Sequence, residues 1–113
     1  MACLFCQIAQ GEIPATVVYH GDGVTAFRDI APQAPVHILI IPDQHIGGVA
    51  DVGQDHENLA GRLIRVAAEV ARQEGIAERG YRLIINQGRD AGQSVDHLHV
   101  HLLAGRTLPT TMV

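Results

Sequence analysis

Three histidines occupy every second position of one short segment near the carboxyl end of the chain. The segment reads DHLHVHLL at residues 96–103, with His97, His99 and His101 alternating with Leu98, Val100 and Leu102. Successive side chains of a β-strand point to opposite faces, so a strand would place the three imidazoles on one face and the aliphatic side chains on the other. A helix would spread the same rings around its circumference. The alternation therefore predicts a strand that presents three imidazoles together.

The spacing of these imidazoles allows three roles. Two neighbouring histidines of a strand can bind one metal ion, whereas the outer two, about 13 Å apart along a strand, cannot easily share an ion with the middle one. A neutral imidazole is also a competent nucleophile near pH 7, and adjacent rings can orient it. The third role is a row of solvent-exposed polar side chains. We favour catalysis because of the loop that precedes the segment.

That loop has the composition of an anion-binding turn. It reads NQGRDAGQS at residues 86–94, with two glycines, an asparagine and a serine. Glycine permits backbone conformations in which consecutive N–H groups converge on an anion. We therefore expect Gly92, Gln93 and Ser94 to hold phosphoryl oxygens while His99 approaches the phosphorus. An ordinary polar loop is the alternative.

The two cysteines of the chain form a second candidate site. They are Cys3 and Cys6 in the segment CLFC, and this spacing allows two thiolates to bind one Zn²⁺ that two further ligands would complete. The segment IPDQHI supplies His45 as a candidate ligand. Two buried thiols without a metal, or a redox-active pair, are the alternatives, although no strand precedes the cysteines as a thioredoxin-like motif requires.

The composition limits the partners of the chain. It has 113 residues, 47% of them apolar, and no apolar stretch approaches the length of a transmembrane helix, so we expect no membrane partner. We expect a single domain over residues 1–113 in the cytoplasm, because no secretory signal is evident and two cysteines are too few for a disulfide framework. The formal charge of −4 argues against nucleic acid as a partner. Lysine is absent, which excludes a Walker-type phosphate loop and Schiff-base chemistry.

The elements that must position these residues follow from the spacing of the apolar side chains. Apolar residues recur at helical spacing between Asp55 and Glu74 and predict one long helix there. A short amphipathic helix is expected within residues 4–13. Strands are expected at residues 15–20, 24–29, 36–42, 81–88 and 97–104. The order of these elements predicts an α+β fold, in which the long helix backs a five-stranded antiparallel sheet and the short helix lies at the N-terminus.

The triad and its flanking segments resemble the histidine-triad (HIT) superfamily of nucleotidyl hydrolases and transferases. The segments FCQIAQGEIPATVV, AFRDIAPQAPVHILIIPDQHI and NQGRDAGQSVDHLHVHLLAGR are similar to the Hint branch, in the same order and over nearly the whole chain. The resemblance implies the HIT-like fold and hydrolysis of purine nucleoside phosphoramidates, or related nucleotidyl substrates, to the nucleoside monophosphate. It also implies a homodimer that forms through the long helices and the strands near Asn86. In this dimer the two sheets become one continuous sheet of ten strands.

The resemblance implies a role for each residue of the site. His99 would attack the α-phosphorus and form a covalent nucleotidyl-histidine intermediate, His101 would donate to the phosphoryl oxygens, and Ser94 would meet the leaving group. The other catalytic residues would be His97 and His37, a fourth histidine that supports the triad, and the chemistry would need no cofactor. The implied contacts to an AMP- or GMP-like nucleotide are Phe5, Ile8, Phe27 and Ile30 at the base, Asp29 at the ribose, and Asn86, Gly92 and Gln93 with Ser94, His99 and His101 at the phosphate.

For the cysteines, the resemblance implies a structural Zn²⁺ bound by Cys3, Cys6, His45 and His97. Two features depart from the Hint pattern. Asp96 precedes the triad, and the C-terminal segment GRTLPTTMV lacks the tryptophan-containing ending that some Hint proteins extend to the active site of the partner subunit. The alternative functions are a nucleotide-binding regulatory protein with incidental hydrolysis, a dinucleoside polyphosphate hydrolase, and a metal-dependent hydrolase that uses the triad as ligands.

Overall fold

The computed structural model describes residues 3–110. The last three residues of the divergent C-terminal segment therefore lie outside the described residues. The described chain folds into a sheet of five strands and two α-helices. Their bounds are α1 (Leu4–Ala9), β1 (Val17–Gly21), β2 (Val24–Arg28), β3 (Val36–Pro42), α2 (Glu57–Gln73), β4 (Arg82–Ile84) and β5 (Val100–Ala104).

The five strands form one antiparallel sheet in the order β1-β2-β3-β5-β4. β3 lies at its centre, with β2 on one side and β5 on the other. All but the first residue of β3 are buried. A strand covered on both faces becomes a nearly continuous apolar run, which explains the sequence VHILIIP. The α+β architecture predicted from the sequence is confirmed.

The turn between β1 and β2 shows how local sequence determines the register of this sheet. Asp22 and Gly23 have positive φ angles of 56° and 77°, and the flanking Gly21 and Val24 are paired. Two consecutive residues in the left-handed region form a type I′ turn, whose twist matches that of a hairpin. Asp22 and Gly23 of the segment GDG therefore form a two-residue hairpin loop between β1 and β2.

The two faces of the sheet bury different sets of side chains. On one face, α2 packs on alternate residues of β2, β3 and β5 to form the larger core. On the other face, a smaller cluster lies beneath α1 and contains Phe5, Phe27, Leu39 and Ile41. The residues of β5 that alternate with those of the larger core face the α1 side of the sheet. This is the side on which the histidines lie.

Helix α2 begins two residues later than predicted and ends one residue earlier, because residues 54–56 form a separate 3-10 turn. Its end is closed by Gly75, which has a φ of 74°. The N–H of Gly75 donates to the carbonyl of Arg72 at 3.2 Å, and the N–H of Ile76 donates to the carbonyl of Ala71 at 3.1 Å. This pair of bonds is a Schellman motif, which satisfies carbonyls that the helix leaves unpaired.

Two strands are shorter than the sequence predicts by three residues or more, while β1 and β2 are each one residue shorter. β5 begins at Val100 rather than at residue 97, and β4 ends at Ile84 rather than at residue 88. Val100 pairs with Ile40 of β3, but the next upstream bond differs, since the N–H of Leu98 donates to the carbonyl of Ile46 at 2.6 Å. The chain before Val100 therefore leaves the ladder and runs beside the segment that carries His45.

Candidate active site and metal centre

The three alternating histidines share one face even though only the last of them lies within a regular strand. Leu98, Val100 and Leu102 belong to the core under α2. The rings of His97 and His99 pack against Phe5 of α1 instead, with centroid distances of 5.9 and 5.2 Å. Residues 97–99 thus remain extended enough to alternate. The predicted presentation of three imidazoles on one face is observed, on a shorter strand.

The ring of His99 is oriented by a backbone carbonyl. Its Nδ1 lies 2.7 Å from the carbonyl oxygen of His97. A carbonyl oxygen can only accept, so Nδ1 carries the proton and Nε2 of the neutral ring has a free lone pair. The centroid of His101 lies 5.0 Å from that of His99. His99 therefore offers a nucleophilic nitrogen beside its neighbour.

His101 has the opposite tautomer, and the cause is a chain of hydrogen bonds that starts on the backbone. The N–H of Gln33 donates to Nδ1 of His37 at 3.0 Å, which leaves the proton of the neutral His37 ring on Nε2. That Nε2 lies 2.9 Å from Nδ1 of His101 and donates to it. The proton of neutral His101 is then on its Nε2. His101 presents a hydrogen-bond donor where His99 presents a lone pair.

Burial keeps the rings of His37 and His101 neutral. Burial lowers the pKa of His37, and the nearby carboxylate of Asp29 only partly opposes it. Burial, with repulsion from His99 and His37, lowers the pKa of His101 to about 4. A ring removed from water disfavours its charged form. The tautomers assigned to His37 and His101 are therefore the relevant species at neutral pH.

Beside these rings lies a cavity of ≈ 280 Å³, which we call the first cavity. It is enclosed largely by apolar side chains of α1, of β2 and of the segment between them. His99 and His101 lie at one end of it, together with Ser94, and the carboxylate-bearing Asp29 is also in its wall. All four residues expected at the base line this cavity, namely Phe5, Ile8, Phe27 and Ile30.

Two residues at the rim of the first cavity have distinct environments. Oδ1 of Asp29 accepts a hydrogen bond from the N–H of Ala31 at 2.8 Å, and Oδ2 lies 3.5 Å from Nε2 of His37. The carboxylate is thereby fixed at the end of β2. Ile30 is 100% exposed. A fully exposed isoleucine at the mouth of an apolar cavity extends the apolar surface available to a ligand.

The glycine-containing loop is arranged differently from the expected anion-binding turn. The N–H of Gly92 donates to Arg89 and the N–H of Gln93 donates to Gly88, so both groups are already used within the loop. The side chain of Gln93 also binds backbone, accepting from Gly88 and donating to Gly47 at 2.8 Å each. Ser94 is the member of this set that lines the first cavity. Contact of Gly92 and Gln93 with phosphate stays a prediction.

Asn86 lines a second cavity rather than the first. This second cavity has a volume of ≈ 190 Å³ and shares His101 with the first cavity. His37 and Gln33 also line it. Asn86 therefore lies next to His101 but does not line the apolar space of the first cavity.

The cysteines form a compact cluster with two histidines. The ligand atoms of Cys3, Cys6, His45 and His97 all lie within 4.8 Å of one another. Nδ1 of His97 is 3.4 and 3.5 Å from the two sulfurs, and Nδ1 of His45 is 3.3 Å from Sγ of Cys6. A tetrahedral zinc ion with ordinary bond lengths would hold sulfur and nitrogen about 3.5 Å apart. The spacing of the cluster fits such an ion.

The tautomer of His97 also suits a metal ligand. Its Nε2 donates to the carbonyl of Pro42 at 2.8 Å, which leaves the lone pair on Nδ1, the atom that faces the thiols. Burial lowers the pKa of His97, so the ring is neutral. Burial, a hydrogen bond that the Cys6 thiol donates to Cys3 and repulsion between the two sulfurs raise the pKa of Cys6. Loss of these thiol protons would accompany metal binding.

A second cluster, of Asp29, His37 and His101, is equally compact but chemically unsuited to a metal. Because the N–H of Gln33 already donates to Nδ1 of His37, a metal on Nε2 would require that ring to lose both protons. Neutral imidazole is the form that binds metals. The hydrogen-bond pattern therefore separates a metal-competent cluster from a proton-bearing one.

Sequence reasoning missed part of the first cavity. Leu4, Ile13, Pro14 and Ala15 line it in addition to the expected residues. The helical spacing of Leu4, Phe5 and Ile8 was a usable signal, because residues at i, i+3 and i+4 share a helix face. Nothing in the local pattern of residues 13–15 indicated a role, since their position depends on how the chain returns from α1 to β1.

The fold and the site define a histidine-triad protein, the class that the sequence resembles. The sequence profile described as the HIT domain matches residues 10–108. The chain belongs to the HIT family.

Individual relatives agree with this assignment. The chain is 59% identical over 105 residues to a protein of Escherichia coli strain K12 named purine nucleoside phosphoramidase, covering 93% of this chain and 88% of the relative. It is 52% identical over 107 residues to a Zea mays protein named 14 kDa zinc-binding protein, covering 93% and 83%. The crystal structure of a HIT family hydrolase from Legionella pneumophila superposes with a TM-score of 0.94 at 50% identity, covering 96% and 97%.

No helix within residues 3–110 is long and apolar enough to cross a membrane.

Proposed function

We propose that this protein hydrolyses purine nucleoside phosphoramidates, or related nucleotidyl substrates, to the nucleoside monophosphate. The observation that carries the proposal is the opposite tautomers of two adjacent rings in one cavity. His99 has a lone pair on Nε2 and His101 has a proton on Nε2. The E. coli relative is named for the same activity.

The reaction proceeds in two displacements at phosphorus. Nε2 of His99 attacks, the bond from phosphorus to nitrogen breaks, and the departing nitrogen keeps the electron pair and takes the hydroxyl proton of Ser94, which water restores in the second displacement. The resulting nucleotidyl-imidazole carries positive charge, and Nδ1–H of His99 shares it with the carbonyl of His97 through a charge-assisted hydrogen bond. Water then cleaves the phosphorus–imidazole bond. Overall, water supplies a proton to the departing nitrogen and oxygen to phosphorus.

His101 stabilises charge on the phosphoryl oxygens. Its Nε2–H is fixed by the bonds from Gln33 through His37, so the donor does not reorient when charge develops. Preorganised donors in a site shielded from water contribute more than the same donors in solution. Ser94, at the same end of the cavity, contacts the phosphate or the departing group.

The first cavity holds the nucleoside. Its apolar walls contact the faces of a purine, and the carboxylate of Asp29 accepts hydrogen bonds from the ribose hydroxyls. Few directional donors surround the base, so we expect little discrimination between adenine and guanine. The same residues would serve a regulatory protein that binds nucleotides without turnover, and the tautomers of the triad favour the enzyme.

The thiol and imidazole cluster holds a structural Zn²⁺ through Cys3, Cys6, His45 and His97. The Sγ to Nδ1 distances and the Nδ1 lone pair of His97 support this assignment. Bound zinc supplies folding free energy and no chemistry at the phosphate. It fixes His97, whose carbonyl orients His99, and it ties α1 to the sheet.

Replacing the nucleophile tests the proposed reaction. The variant His99→Ala should lower kcat/KM for an AMP-lysine conjugate by about 10⁴-fold or more, because no other group can form the covalent intermediate. AMP binding, measured by calorimetry, should stay within about tenfold of the parent. Rapid quenching of the parent reaction followed by mass spectrometry should detect an adenylylated peptide that contains His99.

Hydrolysis by His99→Ala at the parental rate would disprove the nucleophile. A parent that binds AMP but releases none from the conjugate would support the regulatory alternative. If the protein were instead a dinucleoside polyphosphate hydrolase, diadenosine polyphosphates would be better substrates than the AMP-lysine conjugate. Comparing kcat/KM for the two substrates tests this alternative.

Removing the metal separates a structural ion from a catalytic one. The variant Cys6→Ser should contain no zinc by mass spectrometry and should lose at least about 5 °C in Tm, because α1 is released from the sheet. At a temperature where it stays folded, its rate of covalent-intermediate breakdown should equal that of the parent. Gln10→Ser, an exposed change next to α1, is the control and should retain zinc. Abolition of that rate in Cys6→Ser would indicate a metal-dependent hydrolase.

A further inference from the structure

A third cavity lies at the carboxyl end of α2, apart from the nucleotide site. It has a volume of ≈ 260 Å³, and its wall combines residues of the turn at 75–80 with the segment 105–107, directly after β5. It shares no lining residue with the first or the second cavity. Ile76 in its wall packs against the larger core on the α2 face of the sheet, whereas the first cavity lies on the α1 face.

We propose that this third cavity binds a phosphate group, supplied either by free phosphate or by a small phosphate monoester. The inference goes beyond the proposed function, because the site is separate from the triad and takes no part in its reaction. The charges, the hydrogen-bond donors and the fixed geometry of the wall carry the argument.

Two arginines without a carboxylate partner line the third cavity. Neither Arg79 nor Arg106 forms an ion pair within residues 3–110, whereas Arg28, Arg65 and Arg89 each pair with a carboxylate. The chain has 12 acidic residues to 8 basic ones, so carboxylates are abundant, yet none of the described residues of this wall is acidic. Two positive charges beside one space repel each other, and an anion between them replaces this repulsion with attraction.

The wall also supplies neutral hydrogen-bond donors. In the part of the chain that the structure describes, the N–H groups of Gly105, Arg106 and Thr107 donate to no backbone carbonyl. Thr107 adds a hydroxyl, which can also donate. Its carbonyl already accepts from the guanidinium of Arg106 at 3.1 Å. The groups that remain for a ligand are therefore mainly donors, and an anion is the ligand that accepts from all of them.

Both segments of the wall are held in place before any ligand binds. The Schellman motif at the end of α2 fixes the turn that carries Arg79. Gly105 has a φ of 98°, and a side chain there would place its Cβ 2.8 Å from Cβ of Pro35, so the chain after β5 lies directly against that proline. The guanidinium of Arg82 donates to the carbonyl of Pro109 at 2.7 Å and fastens the same segment to β4. A site formed in advance loses less entropy when it binds a ligand.

The charge and the size of the third cavity favour phosphate over other anions. A phosphate monoester carries about 1.5–2 negative charges near pH 7 and balances two guanidinium groups, whereas a carboxylate balances only one. The planar guanidinium also matches the spacing of phosphate oxygens and can donate two parallel hydrogen bonds. The volume is below the range of about 300–1,000 Å³ that is typical of sites for larger organic ligands. A small phosphate-bearing ligand therefore fits.

Titration of the ¹⁵N-labelled protein with inorganic phosphate, followed by NMR at constant ionic strength, tests the inference. The amide signals of Gly80 and of residues 105–107 should shift and saturate with an apparent Kd of about 1 mM. Arg106→Gln and Arg79→Gln should each raise this Kd by about tenfold, because each removes one charged donor. Any shifts at residues 97–101 report phosphate at the triad separately and should be the same in the parent and in both variants.

Arg72→Gln is the matched control. Arg72 is an exposed arginine in the last turn of α2 that does not line the third cavity, so its removal changes the net charge by the same amount. The Kd should then change by less than about twofold. Hydrolysis of the AMP-lysine conjugate should proceed at the parental rate in all three variants.

Two further ligands define the chemistry of the occupant. Acetate should bind at least about tenfold more weakly than phosphate, since it carries a single charge. Glycerol 1-phosphate distinguishes the two sources of phosphate: tighter binding than inorganic phosphate identifies a monoester as the ligand, and weaker binding identifies free phosphate.

Three results would overturn the site. They are shifts that grow linearly with phosphate concentration, a loss of affinity in Arg72→Gln equal to that in Arg106→Gln, and binding of acetate as tight as that of phosphate. Each would show a general attraction of anions to the surface. None of them affects the proposed function, which hydrolysis of the AMP-lysine conjugate tests independently.

Discussion

At the scale of single residues, one amino-acid type performs several tasks because different backbone groups contact its two ring nitrogens. The carbonyl of His97 places the proton of His99 on Nδ1. The carbonyl of Pro42 places the proton of His97 on Nε2, which frees Nδ1 for the thiols. The N–H of Gln33 fixes His37 and, through it, His101. The sequence showed that the rings share a face but did not show which nitrogen is protonated, because that depends on distant carbonyl and N–H groups.

The buried rings also predict how stability depends on pH. The pKa values of His37 and His101 are lowered in the folded protein, to about 4 for His101, while an exposed histidine in the unfolded chain has its ordinary value of about 6.5. Below pH 6.5 the unfolded chain therefore binds more protons, and stability falls as pH falls from 6.5 towards 4. Above pH 6.5 this contribution is fully present.

Urea unfolding between pH 7 and pH 4.5 measures this effect. The slope of the unfolding free energy against pH measures how many more protons the unfolded chain binds than the folded protein. We expect this difference to decrease by about one proton when His101→Gln removes the ring. Ala77→Leu, an exposed change in the turn after α2, is the control, because it removes no titratable group and should leave the slope unchanged. An identical slope in the parent and in His101→Gln would contradict the buried neutral ring.

At the scale of elements, α1 joins the metal centre to the nucleotide cavity. Cys6 contributes to the metal cluster, while Phe5 and Ile8 line the first cavity. Phe5 also contacts the rings of His97 and His99. The existence of this helix was predictable from its apolar spacing. Its docking was not, because a six-residue helix has little stability of its own and its position is determined by tertiary contacts.

The strand boundaries illustrate the same limit. Alternation correctly predicted which residues of 97–104 face the core, but it did not predict that regular pairing starts at Val100. Pairing stops where the N–H of Leu98 turns to the carbonyl of Ile46. A sequence window shows the faces of a strand, whereas the end of a ladder depends on the neighbouring chain.

Helix α2 offers a matched pair of glycine substitutions with opposite effects. Gly61 lies within α2 on its exposed face, with open space where a side chain would be. Gly61→Ala should therefore raise the free energy of unfolding by about 0.5–1 kcal/mol. Gly75 closes the helix with a φ of 74°, where a side chain is strained, so Gly75→Ala should lower it by about 1–2 kcal/mol. Chemical denaturation measures both. Changes of the same sign would contradict the assigned ends of α2.

At the scale of the whole molecule, the sheet has two open edges, at β1 and at β4. An exposed strand edge is a template for pairing with another chain. Large apolar side chains are exposed on α2 and next to β4, namely Ile64, Tyr81 and Ile85. We propose that two copies pair through β4 and α2 to form the homodimer that the family resemblance implies.

Substitutions at the two edges test this assembly. Sedimentation of the parent should give the mass of a dimer, and Ile64→Glu with Ile85→Glu should shift it towards the monomer, because two charges would be buried at the interface. Val17→Glu, at an equally exposed position on β1, should remain dimeric. Dissociation by Val17→Glu alone would place the interface at the opposite edge.

One main-chain hydrogen has a role that side-chain mutagenesis would not detect. The N–H of Gln33 sets the direction of donation along two imidazoles, yet every amino acid except proline supplies the same group at that position. Alanine scanning of the loop would therefore report this determinant as neutral. Its removal requires either proline or semisynthetic replacement of the amide by an ester, and the defect should be visible as an altered ring ¹⁵N chemical shift of His101.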